Sequence, residues 1–171
     1  PNIHSPYGKE CRACWTVPDG YKLVGIDASG LELRMLAHYM NDADYIEDVV
    51  NGDIHTTNQE LAGLKTRDQA KTFIYAFLDG RKIYVRSPHA ALNTLLQGSG
   101  AIVMKQAMIN LYELIKLNTY DAKFVANIHD EWQLQVKESQ ADSVGRVGVE
   151  CIEKVTEQFK MRCELTGEYK I

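Results

Sequence analysis

Two aspartates, Asp27 and Asp130, each close an apolar run. The runs are Val24-Gly25-Ile26-Asp27-Ala28-Ser29-Gly30-Leu31-Glu32-Leu33-Arg34 and Val125-Ala126-Asn127-Ile128-His129-Asp130-Glu131. A strand that ends on a carboxylate carries it out of the core, where it meets solvent or metal. Two such carboxylates brought together bind hard divalent cations, which take oxygen ligands. A cation pair is the minimal equipment for phosphoryl or nucleotidyl transfer, because it serves both the attacking and the leaving oxygen. Read alone, the same residues are two surface aspartates at strand ends.

Two further rows share a helical spacing. Arg67, Lys71 and Tyr75 recur every fourth residue and so lie on one helix face. Two cations and a ring suit a triphosphate and a base; the plain alternative is a solvated basic face with a half-buried tyrosine. His89, Asn93 and Gln97 repeat the spacing, either as a row of hydrogen-bonding readers or as the polar stripe of a solvated helix.

These residues need elements to hold them. Tyr21 to Ala28 reads as a buried strand, and Leu31 to Met40 as a helix by its apolar period. Asn41 or Asp42 caps a short helix to Val50, Gly52-Asp53 breaks it, and Ile54 to Leu61 is helical again. Thr66 caps a helix to Leu78, and Asp79-Gly80 turns the chain into a strand over Arg81 to Arg86. Pro88 opens a long helix to about Leu117, in which Gly98 and Gly100 imply a bend or close packing. Strands over Lys123 to His129 and Trp132 to Val136 follow, then a helix from Ser139 to about Met161. Its stripe is Val144, Val147, Cys151, Ile152 and Val155, with Gly148 suited to close packing on the sheet. Arg162 to Leu165 is expected to be a last strand, and Pro1 to Gly20 irregular. The fold class is α+β, a small antiparallel sheet covered by helices on one face, with the two carboxylate-bearing strands as central neighbours.

Composition sets bounds. The 171 residues make one domain, or one domain with a small appendage, and 45% hydrophobic content builds a core. No run reaches the roughly 18 apolar residues of a membrane span. A net charge of -4 is unusual for a nucleic-acid binder, whose footprint is basic. Cys11 and Cys14 have a zinc-like spacing with no second close pair, so all four cysteines read as free thiols in a reducing compartment.

The ordered segments Asp27 to Arg34, Arg67 to Tyr75 and His129-Asp130-Glu131 resemble motifs A, B and C of family A DNA polymerases, most closely the phage replicative type. The resemblance spans nearly the whole chain. It implies a polymerase palm, with Asp27 and Asp130 bridging two magnesium ions about 3.5–4 Å apart and the carbonyl of Ala28 as a backbone ligand. It implies that Glu131 places metal or primer terminus. Glu32 would block the ribose 2′ hydroxyl, against a plain alternative of a salt bridge to Arg34 or His38. His55, Arg67 and Lys71 would hold the triphosphate, and Tyr75 would abut sugar and template. His89, Asn93, Gln97 and His129 would touch primer-template DNA, the readers testing minor-groove acceptors common to correct pairs.

The chain also departs from the pattern. Phe77-Leu78 runs directly into Asp79-Gly80-Arg81-Lys82, where the family places further fingers helices. The expectation is a single palm domain over residues 1–171 with a remnant fingers helix at 66–78, a junction near 78–80, and no thumb or exonuclease. Loss of those basic, grasping parts accounts for the acidic charge, and activity alone should be very low. Primer-template DNA and deoxynucleotides are the implied partners, with a processivity factor for a full-length parent, in a host cytoplasm if phage-encoded. Two other readings stand beside this one: a non-catalytic binding remnant, and a metal-dependent phosphohydrolase using His129-Asp130, whose class places its ligands on helices.

Overall fold

Alternation of apolar residues along three strands decides which side of the sheet is covered. The computed structural model describes the backbone of residues 5–61, 65–66, 68–69 and 88–171. Strand β1 (Tyr21–Ala28) buries Val24, Ile26 and Ala28 and turns Gly25 and Asp27 the other way. After α2 (Leu31–Met40), α3 (Ala43–Val50), α4 (Ile54–Leu61) and α5 (Pro88–Leu117) comes a hairpin, β2 (Ala122–Ile128) and β3 (Glu131–Lys137). Strand β3 buries Trp132, Leu134 and Val136. A 3-10 turn at Glu138–Gln140 leads into α6 (Ala141–Gln158), and β4 (Gly167–Lys170) ends the sheet. All pairings are antiparallel, in the order β2-β3-β1-β4.

Helix α6 lies across the apolar face of this sheet through Val144, Cys151, Ile152 and Val155, all buried. Each large aliphatic side chain removed from water there contributes about 1.5–3 kcal/mol. The approach is close because Gly148 has no side chain: a Cβ there would stand 2.3 Å from Ile26 Cδ1. Helix α5 packs on α6 and α2. Its Gly100 lies against Leu31, where a Cβ would be 3.1 Å from Leu31 Cδ2. The glycines of α5 therefore include one close contact, and the helix is continuous over its 30 residues.

Most element bounds match the sequence expectations, including the Asp42 cap, whose side chain accepts from Tyr45 N–H at 3.0 Å. Three expectations are corrected. A short helix, α1 (Gly8–Ala13), interrupts the N-terminal stretch expected to be irregular. The last strand is Gly167–Lys170, not Arg162 to Leu165. Cys163 and Leu165 are buried as expected of a strand, but their segment bonds to helices: Leu165 N–H donates to Thr156 Oγ1 at 2.9 Å, and Arg34 donates to the Glu164 carbonyl. Finally, β1 and β2 are not neighbours, because β3 lies between them. The helix expected over 66–78 begins with a reciprocal cap. Gln69 N–H donates to Thr66 Oγ1 and Thr66 N–H to Gln69 Oε1, each at 3.2 Å. The rest of that helix and the strand at 81–86 lie outside the described residues.

Candidate active site

Strand register assembles the site. Asp27 is the penultimate residue of β1 and points to the face opposite the core, on the side away from α6, since its neighbours Ile26 and Ala28 point into the core. It pairs with Glu131 on β3 and Glu168 on β4. Directly paired residues share a face, so three carboxylates form a row across the open side of the sheet. Asp130 enters from the two-residue turn between β2 and β3. Its carbonyl accepts the Ala28 N–H at 3.1 Å, tying the turn to the end of β1. The turn is sharp because His129 adopts a left-handed backbone, φ 56. Histidine tolerates this conformation better than most non-glycine residues.

The row is electrostatically loaded. Asp27 is pushed up to about 6, first by burial, then by the charges of Asp130, Glu131 and Glu168, with Lys170 acting the other way. Glu131 is oriented by Gln133, whose Nε2 donates to Glu131 Oε1. Gly25 gives both side chains their room, since a Cβ there would lie 2.8 Å from Gln133 Nε2 and 3.0 Å from Glu131 Oε1. Gly25, Asp27, Glu131, Glu168 and Lys170 line a cleft of about 90 Å³.

Hard oxygen donors that repel one another fit a hard divalent cation. Among the described residues, no group of three or more His, Cys, Asp or Glu side chains is placed to hold a metal ion as they stand.

Of the other expected site residues, Glu32 and Gln97 are brought together. Gln97 Nε2 on α5 reaches Glu32 Oε1 on the first turn of α2 at 3.5 Å, a long hydrogen bond. Arg34 is turned inward at 8% exposure and donates Nε to the Ser29 carbonyl at 2.9 Å. His55 sits in the first turn of α4, where Asp53 accepts its N–H at 3.2 Å. His89 and Asn93 fall on the first turns of α5, with side chains outside the described residues, and Arg67, Lys71 and Tyr75 lie outside them altogether. Sequence reasoning missed Gly25, Gln133, Glu168 and Lys170. The period-two pattern of Gly167, Glu168, Tyr169 and Lys170 was the available signal for the last two.

The position of His129-Asp130 between two strands speaks against a helical phosphohydrolase centre. The four cysteines are free, with Cys11 and Cys14 exposed and Cys151 and Cys163 buried. No described helix is long and apolar enough to cross a membrane.

Comparison with known proteins adds three findings. The profile described as DNA polymerase family A matches residues 79–171. The DNA-directed DNA polymerases of Enterobacteria phage T3 and Escherichia phage T7 are 34% and 33% identical over 256 aligned positions. Each alignment covers 100% of this chain and 36% of the relative, so the chain spans about a third of their length. Among solved structures, the POL domain of Pol1 from M. smegmatis, in complex with DNA primer-template and dNTP, superposes with a TM-score of 0.80 at 20% identity. It covers 98% of this chain and 42% of that one, which establishes a shared fold.

Proposed function

This chain belongs to DNA polymerase family A, and on that premise we propose that it holds the nucleotidyl-transfer centre of template-directed DNA synthesis. The observation that carries the proposal is the carboxylate row. Asp27 faces Glu131 across the β1–β3 pair, and the turn bearing Asp130 is bonded to the backbone of Ala28.

Asp27, Asp130 and the carbonyl of Ala28 would hold two magnesium ions, which assist deprotonation of the primer 3′ hydroxyl and neutralise charge on the departing pyrophosphate. The chain's own residues do the positioning. Asp27 is mostly ionised at neutral pH despite its raised pKa of about 6, which ligation requires. Gln133 and Gly25 fix the carboxylate of Glu131 beside the primer terminus. Glu32, braced by Gln97, fills the space a ribose 2′ hydroxyl would need, so deoxynucleotides are selected by steric conflict. Arg67, Lys71 and His55 bind the triphosphate and Tyr75 the sugar edge. His89, Asn93, Gln97 and His129 contact the primer-template.

The domain proposal is a palm with a fingers remnant at 66–78. It is supported by the phage alignments, in which 256 aligned positions accommodate only 171 residues of this chain. That excess leaves room for a large internal segment, as the junction near 78–80 implies. A processivity factor belongs to the same proposal for the longer enzyme.

The test is a chimera in which this chain replaces its counterpart in a phage relative, with the relative's fingers and upstream parts retained. Magnesium-dependent primer extension is expected. Asp27→Asn or Asp130→Asn should lower it on the order of a thousandfold, the several kcal/mol that metal-assisted charge stabilisation supplies, with duplex binding nearly intact. Undiminished extension by either variant would refute the assignment, and an inactive chimera that binds DNA would favour the non-catalytic remnant.

A further inference from the structure

Among the described residues, Lys170 is a cation at the carboxylate row. Lys170 on β4 pairs with Gly25 on β1, and Glu168, two residues earlier, pairs with Asp27. Residues two apart on a strand share a face, so Lys170 and Glu168 lie on the open side together with Asp27. The Lys170 ammonium bonds Glu168 Oε1 at 2.8 Å. Gly25 presents no side chain between Lys170 and the row, and Lys170 lines the same cleft as Asp27 and Glu131. Its charge opposes the upward push that Asp130, Glu131 and Glu168 exert on Asp27. Reciprocally, Lys170 is held charged, first by its hydrogen bond to Glu168 and then by Glu168, Asp27 and Glu131.

We infer that Lys170 is a positioning residue, a tethered cation that neutralises the carboxylate row while no nucleotide is bound and that an incoming divalent ion must displace. The inference rests on the reading of Asp27 as a metal ligand. Its physical content is competition. An ammonium on a flexible four-carbon stem costs little to move, and its side chain is 81% exposed. It relieves repulsion within the row, yet repels a doubly charged ion entering the same cleft. A metal arriving with triphosphate brings negative charge with it and meets less opposition. The lysine thereby biases the site towards metal delivered with nucleotide over metal alone.

The experiment measures Mn2+ binding to the 171-residue chain without nucleotide, by the electron paramagnetic resonance signal of the free ion. Lys170→Gln should bind Mn2+ about three- to tenfold more tightly at low salt, with the gain shrinking as KCl screens the pair. Lys170→Arg, which keeps the charge, should stay within about twofold of the parent. Asp27→Asn should lose the site in every background, and thermal melting should show each variant folded. Unchanged or weaker binding by Lys170→Gln, or an equal gain in Lys170→Arg, overturns the inference while Asp27-dependent binding keeps the metal reading. Mn2+ binding that ignores Asp27→Asn, or no binding in any variant, overturns the metal reading and the role of Lys170 with it.

Discussion

Asp27 is where chemistry and stability oppose each other. Burial and the neighbouring carboxylates raise its pKa from 3.8 to about 6. The native state therefore binds more protons than the unfolded chain between roughly pH 4 and 6. The stabilising contribution of protonated Asp27 is fully present below about pH 4 and lost as pH rises through 6. Asp27→Asn should accordingly raise the melting temperature at pH 8 in EDTA, and the advantage should fade by pH 4. Added magnesium should stabilise the parent and not the variant. A variant that melts lower than the parent at pH 8 would show that Asp27 is not repelled in the folded state. At this scale the sequence was legible where a residue sits in a specific motif: Asp27 lies beside Glu131 near the end of its strand, and the turn carrying Asp130 bonds to Ala28. It was illegible where a residue's part depends on register. Gly25 and Gln133 read as ordinary strand residues, and only the pairing Gly25–Gln133, one step from Asp27–Glu131, gives them a role in orienting the carboxylate.

At the scale of elements, two glycines in helices test how close packing differs from helix propensity. Replacing glycine by alanine inside a helix gains about 0.8–1 kcal/mol from propensity alone. At Gly98 in α5 an added Cβ meets no atom of the described residues within 4 Å, so Gly98→Ala should stabilise by up to about that amount. At Gly148 in α6 the Cβ would stand 2.3 Å from Ile26 Cδ1, and Ile26 is fully buried at the centre of the sheet. Overpacking a core costs about 1–3 kcal/mol, which exceeds the propensity gain, so Gly148→Ala should destabilise. Urea unfolding of both variants checks the signs, and stabilisation by Gly148→Ala would mean that α6 lifts from the sheet at little cost. The helices were legible because their apolar period and caps are local. The last strand was not. Cys163 and Leu165 alternate like a strand because they pack against helices, whereas Gly167–Lys170 forms its ladder with β1, a partner 139 to 145 residues away in the chain. The neighbour relation of β1 and β2 failed for the same reason. A hairpin fixes which strands pair locally, but only the tertiary fold decided that β3, and not β2, would lie beside β1.

At the scale of the whole molecule, the chain has a core of its own and little with which to grip DNA. Val24, Ile26, Leu134, Val136, Val144, Ile152 and Val155 are all fully buried between the sheet and α6. The chain should therefore unfold cooperatively in urea. Its net charge of -4 argues the other way for binding. Phosphate contacts by Lys and Arg supply most non-specific affinity for duplex DNA, and the open sheet face carries the row of Asp27, Glu131 and Glu168 with Lys170 partly neutralising it. The chain spans 36% of its phage relatives, and if the remainder includes the fingers and the DNA-grasping parts, then neither closure over a nucleotide nor a firm hold on the duplex is available to it. We expect the isolated 171-residue chain to extend a primer at a small fraction of the chimera's rate with magnesium and all four deoxynucleotides. Its duplex affinity should be weak, and its slope of log affinity against log salt shallow, because few phosphates are neutralised. A primer-extension time course with a salt titration of duplex binding measures both. Robust extension would refute this account and require a second copy or a partner to supply the grip; tight binding with a steep salt slope would refute the claim that this chain lacks the contacts itself.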